Sequence, residues 1–153
     1  MATRETLGET TLCIRRTFPA GRDRVFRAWT NPQELKRWSA PSDEYAIPAV
    51  EVDLRVGGRY RIEMRSASGE PHCAFGVYRE VRPPERLVYS WAWEDKPERG
   101  DTVVTVEFFE RGGSTEVVLT HEFFPDAAMR DRHVQGWSGC LDRLDRLITS
   151  LGQ

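Results

Sequence analysis

Hydrophobic and polar residues alternate with a period of two through most of the middle of the chain. In RYRIEMR, residues 59–65, Tyr60, Ile62 and Met64 share one face and the charged residues take the other, as in a half-buried strand. Similar β-rich segments are residues 10–18, 45–56, 72–81, 86–93, 102–110 and 114–124. Short glycine-containing turns between them predict antiparallel pairing of about six to seven strands. Pro48 predicts an edge or a bulge, and Gly76 predicts an interruption.

Helical spacing of apolar residues occurs in three places. Residues 22–30, RDRVFRAWT, form the first segment. A second short helix is expected to start at Asn31 as the N-cap, with Pro32 in the first helical position and Glu34 completing a capping box. A long last helix is predicted from Asp126 to just before Gly152, because Trp137, Leu141, Leu144, Leu147 and Ile148 form one apolar stripe.

This order of elements predicts an α+β fold. A curved antiparallel sheet would wrap around the long C-terminal helix, with two short helices after the first strand. Two glycines of that helix, Gly136 and Gly139, flank Trp137, although glycine costs about 1 kcal/mol relative to alanine in a helix interior. Either another segment packs closely on them, or the missing side chains leave space for a ligand.

Composition narrows the class of protein. A chain of 153 residues with 39% hydrophobic and 30% charged residues has the size of one domain, which we expect to span residues 1–153 with a core at 10–150. The net charge of −2 argues against a nucleic-acid partner, and no apolar run reaches membrane-spanning length. The start of the chain lacks a signal-peptide core, so we expect a cytoplasmic protein with its three cysteines reduced.

Several segments together resemble the family of activator-of-heat-shock-protein-ATPase homologues, within the START-like, birch-pollen-allergen-like superfamily. The matching pieces are RTFPAGRDRVFRAWTNPQELKRW, DLRVGGRY, GVYREVRPPERLVYSW, GGSTEVVLTH and HVQGW leading into LDRLDRL. Their order and spacing cover about residues 10–150. Val56 departs from the proline that the family often has before the double glycine, which affects a turn and not the chemistry.

The resemblance implies a helix-grip fold, in which the sheet grips the C-terminal helix with a cavity between them. A lining that is mostly apolar with a few polar groups is typical of small-molecule sites. The inward faces of the predicted elements supply these candidate ligand-binding residues: Trp38, Tyr60, Ile62, Met64, Tyr89, Trp91, Val106, Phe108, Leu119, His121, His133, Trp137 and Leu141. Trp91 and Trp137 would anchor the ligand, and the two histidines would orient its polar end. The alternative is that these residues are ordinary core.

Catalytic and metal-binding motifs are not found in the sequence. His121 and His133 are predicted to meet, either as a proton-moving pair or as two hydrogen-bonded structural histidines. A metal would need a third ligand, and GxSxG, P-loop and GxGxxG patterns do not occur. We therefore predict no catalytic residues, no metal and no cofactor.

Three functions follow, in order of preference. The first is binding of a small hydrophobic or amphipathic molecule by a monomer or homodimer. The second, implied by the resemblance, is a chaperone-associated regulator of the stress response that stimulates the ATPase of the 90-kDa heat-shock protein. In the eukaryotic co-chaperones an additional N-terminal domain makes the main chaperone contacts, and the present sequence shows one domain, so this role ranks second. The third is a small cavity enzyme of the cyclase or hydrolase type.

Overall fold

The computed structural model describes residues 3–6 and 10–151. Its long elements follow the predicted order of a strand, two short helices, six further strands and a long helix. A 3-10 turn, Pro97–Arg99, lies in the loop of residues 94–101. The bounds are β1 Thr3–Thr6, β2 Thr11–Phe18, α1 Arg22–Thr30, α2 Pro32–Trp38, β3 Ala46–Val52, β4 Arg59–Arg65, β5 Pro71–Arg82, β6 Arg86–Trp93, β7 Thr102–Arg111, β8 Ser114–Glu122 and α3 Ala127–Leu151.

The strands form one antiparallel sheet in the order β1-β2-β8-β7-β6-β5-β4-β3. Consecutive strands from β3 to β8 are neighbours, and β2 pairs with β8, so the first long strand joins the sheet beside the last one. The helix-grip prediction is confirmed, with one addition. The short strand β1 pairs with β2 and was not predicted, because its sequence TRET has no apolar residue to mark a strand.

Alternation along the strands predicts the buried face correctly. Inward-facing residues of neighbouring strands lie opposite each other across the sheet. Leu12 lies opposite His121, and Val104 lies opposite both His121 and Tyr89. These side chains are all buried on the concave side of the sheet. The stripe of α3 is buried as well, so sheet and helix share one core.

The short helices are positioned by a cap and by ion pairs. The Asn31 side chain accepts hydrogen bonds from the backbone N–H groups of Gln33 and Glu34, at 2.9 and 3.3 Å, which confirms the N-cap. The capping box is incomplete, because the Asn31 N–H already donates to the Arg27 carbonyl. The Glu34 carboxylate instead binds Arg24 and Arg27 of α1 and ties the two helices together.

The last helix begins where its sequence indicates. The Asp126 carboxylate accepts a hydrogen bond of 2.8 Å from the Met129 N–H, as an N-cap does. Gly152, the predicted stop, lies outside the described residues. None of the helices in the described part of the chain combines the length and apolar character needed to cross a membrane.

Two predicted irregularities have different outcomes. Pro48 lies on the edge strand β3 within a register shift between Ala46 and Ala49, as predicted. Gly76 does not interrupt β5, which is continuous. A Cβ at Gly76 would lie 1.9 Å from the Ser90 carbonyl oxygen, so glycine is needed there because two backbones approach closely.

Candidate functional site

A cavity of about 540 Å³ lies between one half of the sheet and the N-terminal half of α3. This volume falls within the usual range for small-molecule sites. Its walls come from α1, α2, the loop after α2, strands β4 to β6 and α3, and most of them are aromatic or aliphatic. The lining residues are Trp29, Leu35, Trp38, Ser39, Pro41, Tyr45, Tyr60, Ile62, Met64, Tyr78, Tyr89, Trp91, Trp93, Arg99, Arg132, His133, Gln135, Gly136, Trp137 and Cys140.

The structure places many of the candidate residues in this lining and moves others out of it. Those that line the cavity are Trp38, Tyr60, Ile62, Met64, Tyr89, Trp91, His133 and Trp137. Those that lie outside it, buried in the core, are Val106, Phe108, Leu119, His121 and Leu141. Helix α1 packs on the half of the sheet formed by β7 and β8, with Phe26 edge-on against Phe108 at 5.3 Å. Phe124 and Trp137 lie against His121 on the same half. That half is therefore filled.

Four aromatic lining residues were not predicted from the sequence: Trp29, Tyr45, Tyr78 and Trp93. Trp29 follows Val25 by one helical turn on the apolar face of α1, and Tyr78 lies opposite Tyr89 on the inward face of β5. Both are buried, with 3% and 4% of their surface exposed. The alternation of β5 marks Tyr78 as inward, so it could have been included.

The two glycines of α3 have different roles. A Cβ at Gly139 would lie 1.9 Å from the Pro41 carbonyl oxygen, whereas a Cβ at Gly136 would meet only the Pro41 side chain, at 3.8 Å. Gly139 therefore permits close packing of backbone on the helix. Gly136 lines the cavity. The predicted close packing therefore applies to Gly139, whereas Gly136 borders open space.

The loop between α2 and β3, residues 39–45, is held on α3 and forms one wall of the cavity. Ser39, Pro41 and Tyr45 contribute to the lining. An ion pair between Arg143 of α3 and Asp43 fastens the loop, together with the contact at Gly139. Positions on α3 thus control how closely this wall approaches the helix.

His121 is fully buried in a closed hydrogen-bond chain. Its Nδ1 accepts from the Trp137 indole N–H at 3.0 Å, so its proton is on Nε2, which lies 2.6 Å from Thr102 Oγ1. The Thr102 hydroxyl in turn donates to the Trp91 carbonyl at 2.8 Å. Burial, and then the nearby His133, hold the pKa of His121 well below its usual value. This imidazole is neutral and has no free nitrogen for a ligand.

His133 lines the cavity, but both of its nitrogens are also engaged. Its Nδ1 lies 2.9 Å from the Met129 carbonyl and must donate, and its Nε2 accepts from the Trp93 indole N–H at 3.1 Å. Burial lowers the pKa of His133, although the Met129 carbonyl raises it. The imidazole rings lie 5.3 Å apart, so the histidines meet as predicted. Their bonding is that of two structural histidines.

Trp91 is the one tryptophan whose indole N–H has no partner among the described residues. The chain has five tryptophans, and Trp29, Trp38, Trp93 and Trp137 donate to Tyr89, Ala28, His133 and His121 respectively. Trp91 is 7% exposed, and its Nε1 is shielded from solvent without an acceptor. A buried donor without a partner costs about 1–3 kcal/mol. Trp91 itself belongs to the lining of the cavity.

Two tyrosine hydroxyls add to the donors of the cavity. The Tyr89 oxygen accepts from Trp29 at 3.3 Å, which leaves its own O–H free to donate. Tyr78 makes no side-chain hydrogen bond within the described residues and lines the cavity. Burial raises the pKa of both phenols, so both remain protonated donors at neutral pH. Burial likewise raises the pKa of the Cys140 thiol to about 12, which leaves it un-ionised and weakly nucleophilic.

Metal binding has no support in the part of the chain that the structure describes. No group of histidine, cysteine and acidic side chains there is arranged to hold an ion. The cavity instead offers flat apolar walls and hydrogen-bond donors.

Comparison with known proteins identifies related sequences and folds. The family model described as "Activator of Hsp90 ATPase homolog 1-like protein" matches residues 19–149. The human activator of 90 kDa heat shock protein ATPase homolog 1 is 22% identical over 126 residues, which cover 82% of this chain and 33% of the human protein. The chain thus spans about a third of the length of this curated relative.

Solved bacterial structures share the fold over nearly the whole chain. A protein from Chromobacterium violaceum has a TM-score of 0.84 and 31% identity, covering 91% of this chain and 96% of its own. An AHSA1-like protein from Aeromonas hydrophila has a TM-score of 0.76 and 28% identity, covering 93% and 94% of the two chains. The similarity to these structures therefore extends across both the sheet and the long helix.

Proposed function

The chain belongs to the Activator of Hsp90 ATPase homolog 1-like family, and within that family we propose that it binds a small hydrophobic or amphipathic molecule between sheet and last helix. The single observation that carries the proposal is the cavity of about 540 Å³ itself, with mostly apolar walls and with the Tyr78 hydroxyl, unpartnered among the described residues, in its lining. A packed core would leave no such space. The reduced state of the buried cysteines that we expect fits a cytoplasmic location.

The lining defines the kind of ligand. Flat walls from Trp38, Tyr60 and Trp137 favour a ring system, because aromatic faces stack and edge-pack with other rings. The free donors of Tyr78 and Tyr89 favour carbonyl, ether or hydroxyl oxygens on that ring system. The ligand is therefore expected to be an oxygenated polycyclic molecule of drug-like size.

A thermal-shift screen against flavonoids, polyketides, steroids and lipids tests the proposal. A ligand at 100 times its dissociation constant stabilises the fold by about 2.7 kcal/mol, and each kcal/mol raises the midpoint by about 2–4 °C for a domain of this size. Tyr78→Phe should weaken an oxygenated ligand about threefold to tenfold, as expected for one lost hydrogen bond. It should leave the unliganded protein nearly unchanged, because this hydroxyl has no described protein partner.

A matched control separates binding from stability. Ile14→Val alters a buried side chain of β2 outside the lining, so it should lower the melting midpoint and leave the ligand-induced shift intact. No shift from any compound of the panel would count against ligand binding. A shift that Ile14→Val removes and Tyr78→Phe keeps would place the ligand elsewhere.

Regulation of a chaperone is a second candidate function, supported by the relationship to the human ATPase activator. This relationship covers a third of the human protein, so the remaining two thirds of that protein have no counterpart in the matched region. If the family domain alone stimulates the chaperone, mixing purified protein with the 90-kDa chaperone should increase ATP hydrolysis. Unchanged hydrolysis at saturating protein would exclude stimulation.

A cavity enzyme has less support from the geometry. Each histidine uses both nitrogens in protein hydrogen bonds, and burial keeps the Cys140 thiol un-ionised. General acid–base catalysis needs a group with a pKa near the working pH that reaches the substrate. The lining contains no such group, so binding without turnover is the function that these residues favour.

A further inference from the structure

Two arginines stand at one end of the cavity. Arg99 ends the 3-10 turn between β6 and β7, and Arg132 lies in the second turn of α3. Both belong to the lining, where Arg99 is half-buried and Arg132 is exposed. With the exposed Gln135 they mark the end that faces solvent, which we call the mouth of the cavity.

These two guanidinium groups differ from most arginines of the chain in having no ion-pair partner among the described residues. Two other arginines of α3 are paired: Arg130 with Asp131, and Arg143 with Asp43. Glu98, next to Arg99, is exposed and lies outside the lining. The lining contains no aspartate or glutamate at all. The mouth is therefore cationic, without an acidic group of the cavity to neutralise it.

The influence of both charges on one imidazole places them at the same end. After burial, the positive charges of Arg99 and Arg132 each contribute to the low pKa of His133. Such an effect requires both guanidinium groups to lie near the His133 ring, which lines the cavity. The two arginines thus converge on one region and do not flank opposite ends.

We propose that the molecule bound in this cavity is an amphipathic anion, whose carboxylate or similar acidic group is bound by Arg99 and Arg132 at the mouth while its rings enter the aromatic interior. This proposal rests on the proposed function and specifies the chemical class of the ligand. Guanidinium groups suit it because their planar N–H forks bind carboxylates in a bidentate manner. The free hydroxyl donors of Tyr78 and Tyr89 in the interior favour an electron-rich ligand as well.

The test uses two fluorescent probes that share one ring system. Anilinonaphthalene sulfonate carries an anionic group, and phenylnaphthylamine is the uncharged counterpart. Dissociation constants of both are measured by fluorescence titration for the parent protein and for the double variant Arg99→Gln with Arg132→Gln. The matched control is Arg146→Gln, which removes one positive charge from an exposed position of α3 outside the lining.

We expect the double variant to weaken the sulfonate probe roughly threefold to tenfold, as for two partly exposed ion pairs, and the neutral probe less than about twofold. Arg146→Gln should change neither. Equal effects of the double variant on both probes, or an equal loss with Arg146→Gln, would overturn the anion proposal and leave ligand binding intact. Failure of both probes to bind the parent protein would instead count against the proposed cavity binding.

Discussion

Replacing Gly139 by alanine is expected to lower the free energy of unfolding by about 1–3 kcal/mol, the usual cost of overpacking. The added Cβ would lie 1.9 Å from the Pro41 carbonyl oxygen, and a backbone atom cannot rotate away as a side chain can. The loop of residues 39–45 would have to move off α3. The melting midpoint should fall by about 2–4 °C for each kcal/mol lost.

Gly136→Ala is the matched control on the same helix. Its Cβ would be in ordinary contact with the Pro41 side chain, at 3.8 Å, and alanine is favoured over glycine in a helix by about 0.5–1 kcal/mol. The two substitutions should therefore change the melting midpoint in opposite directions. Equal stability of both variants would mean that the loop does not rest on the helix at Gly139.

Acid is expected to destabilise the fold through its two buried histidines. The pKa of His121 is held well below its usual value and that of His133 is lowered, whereas in the unfolded chain both titrate near 6.5. Below that pH the histidines bind protons in the unfolded state but not in the folded state. The histidines therefore do not reduce the free energy of unfolding above about pH 6.5, and they lower it progressively as the pH falls below that value. For each imidazole that stays neutral in the fold, the free energy of unfolding should fall by about 1.4 kcal/mol per pH unit below pH 6.5.

Denaturant unfolding between pH 7.5 and 5 measures this slope. His121→Gln should lower the free energy of unfolding at every pH, since it disturbs the hydrogen bonds to Trp137 and Thr102. It should also make the pH dependence shallower, because one of the two buried imidazoles no longer contributes to the slope. A free energy of unfolding that does not change over this range would show that both rings accept protons in the fold.

Nitrogen NMR of the imidazoles provides an independent readout of the same network. His121 should carry its proton on Nε2, because Nδ1 accepts from Trp137. His133 should carry its proton on Nδ1, which faces the Met129 carbonyl. Identical tautomers in the two rings would contradict the hydrogen-bond assignment.

The arrangement of secondary structure could largely be predicted from local patterns. Strict alternation in residues such as Tyr60, Ile62 and Met64 specifies a strand and its buried face without reference to any partner. Asn31 and Asp126 mark helix starts because their side chains cap the first N–H groups. The strand β1 lacked such a signal, since a short polar segment is a strand only through its pairing with β2.

The site was predicted only partly, because alternation cannot distinguish an inward residue that another element covers from one that borders the cavity. Phe108 and Trp91 both point into the concave side of the sheet and have the same sequence signature. Phe108 is covered by Phe26 of α1, whereas Trp91 lines open space. The difference depends on where α1 crosses the sheet, which only the tertiary structure determines.

Local sequence therefore decides which residues face inward, since side-chain direction follows from the periodicity of strand and helix alone. Tertiary packing decides which inward residues remain uncovered, because space depends on several elements meeting. It also decides hydrogen-bond satisfaction: of five chemically identical indole N–H groups, only that of Trp91 finds no acceptor in the described chain. Gly136 and Gly139 are alike in sequence, yet one borders the cavity and the other admits a backbone, because only Gly139 lies beneath the Pro41 carbonyl.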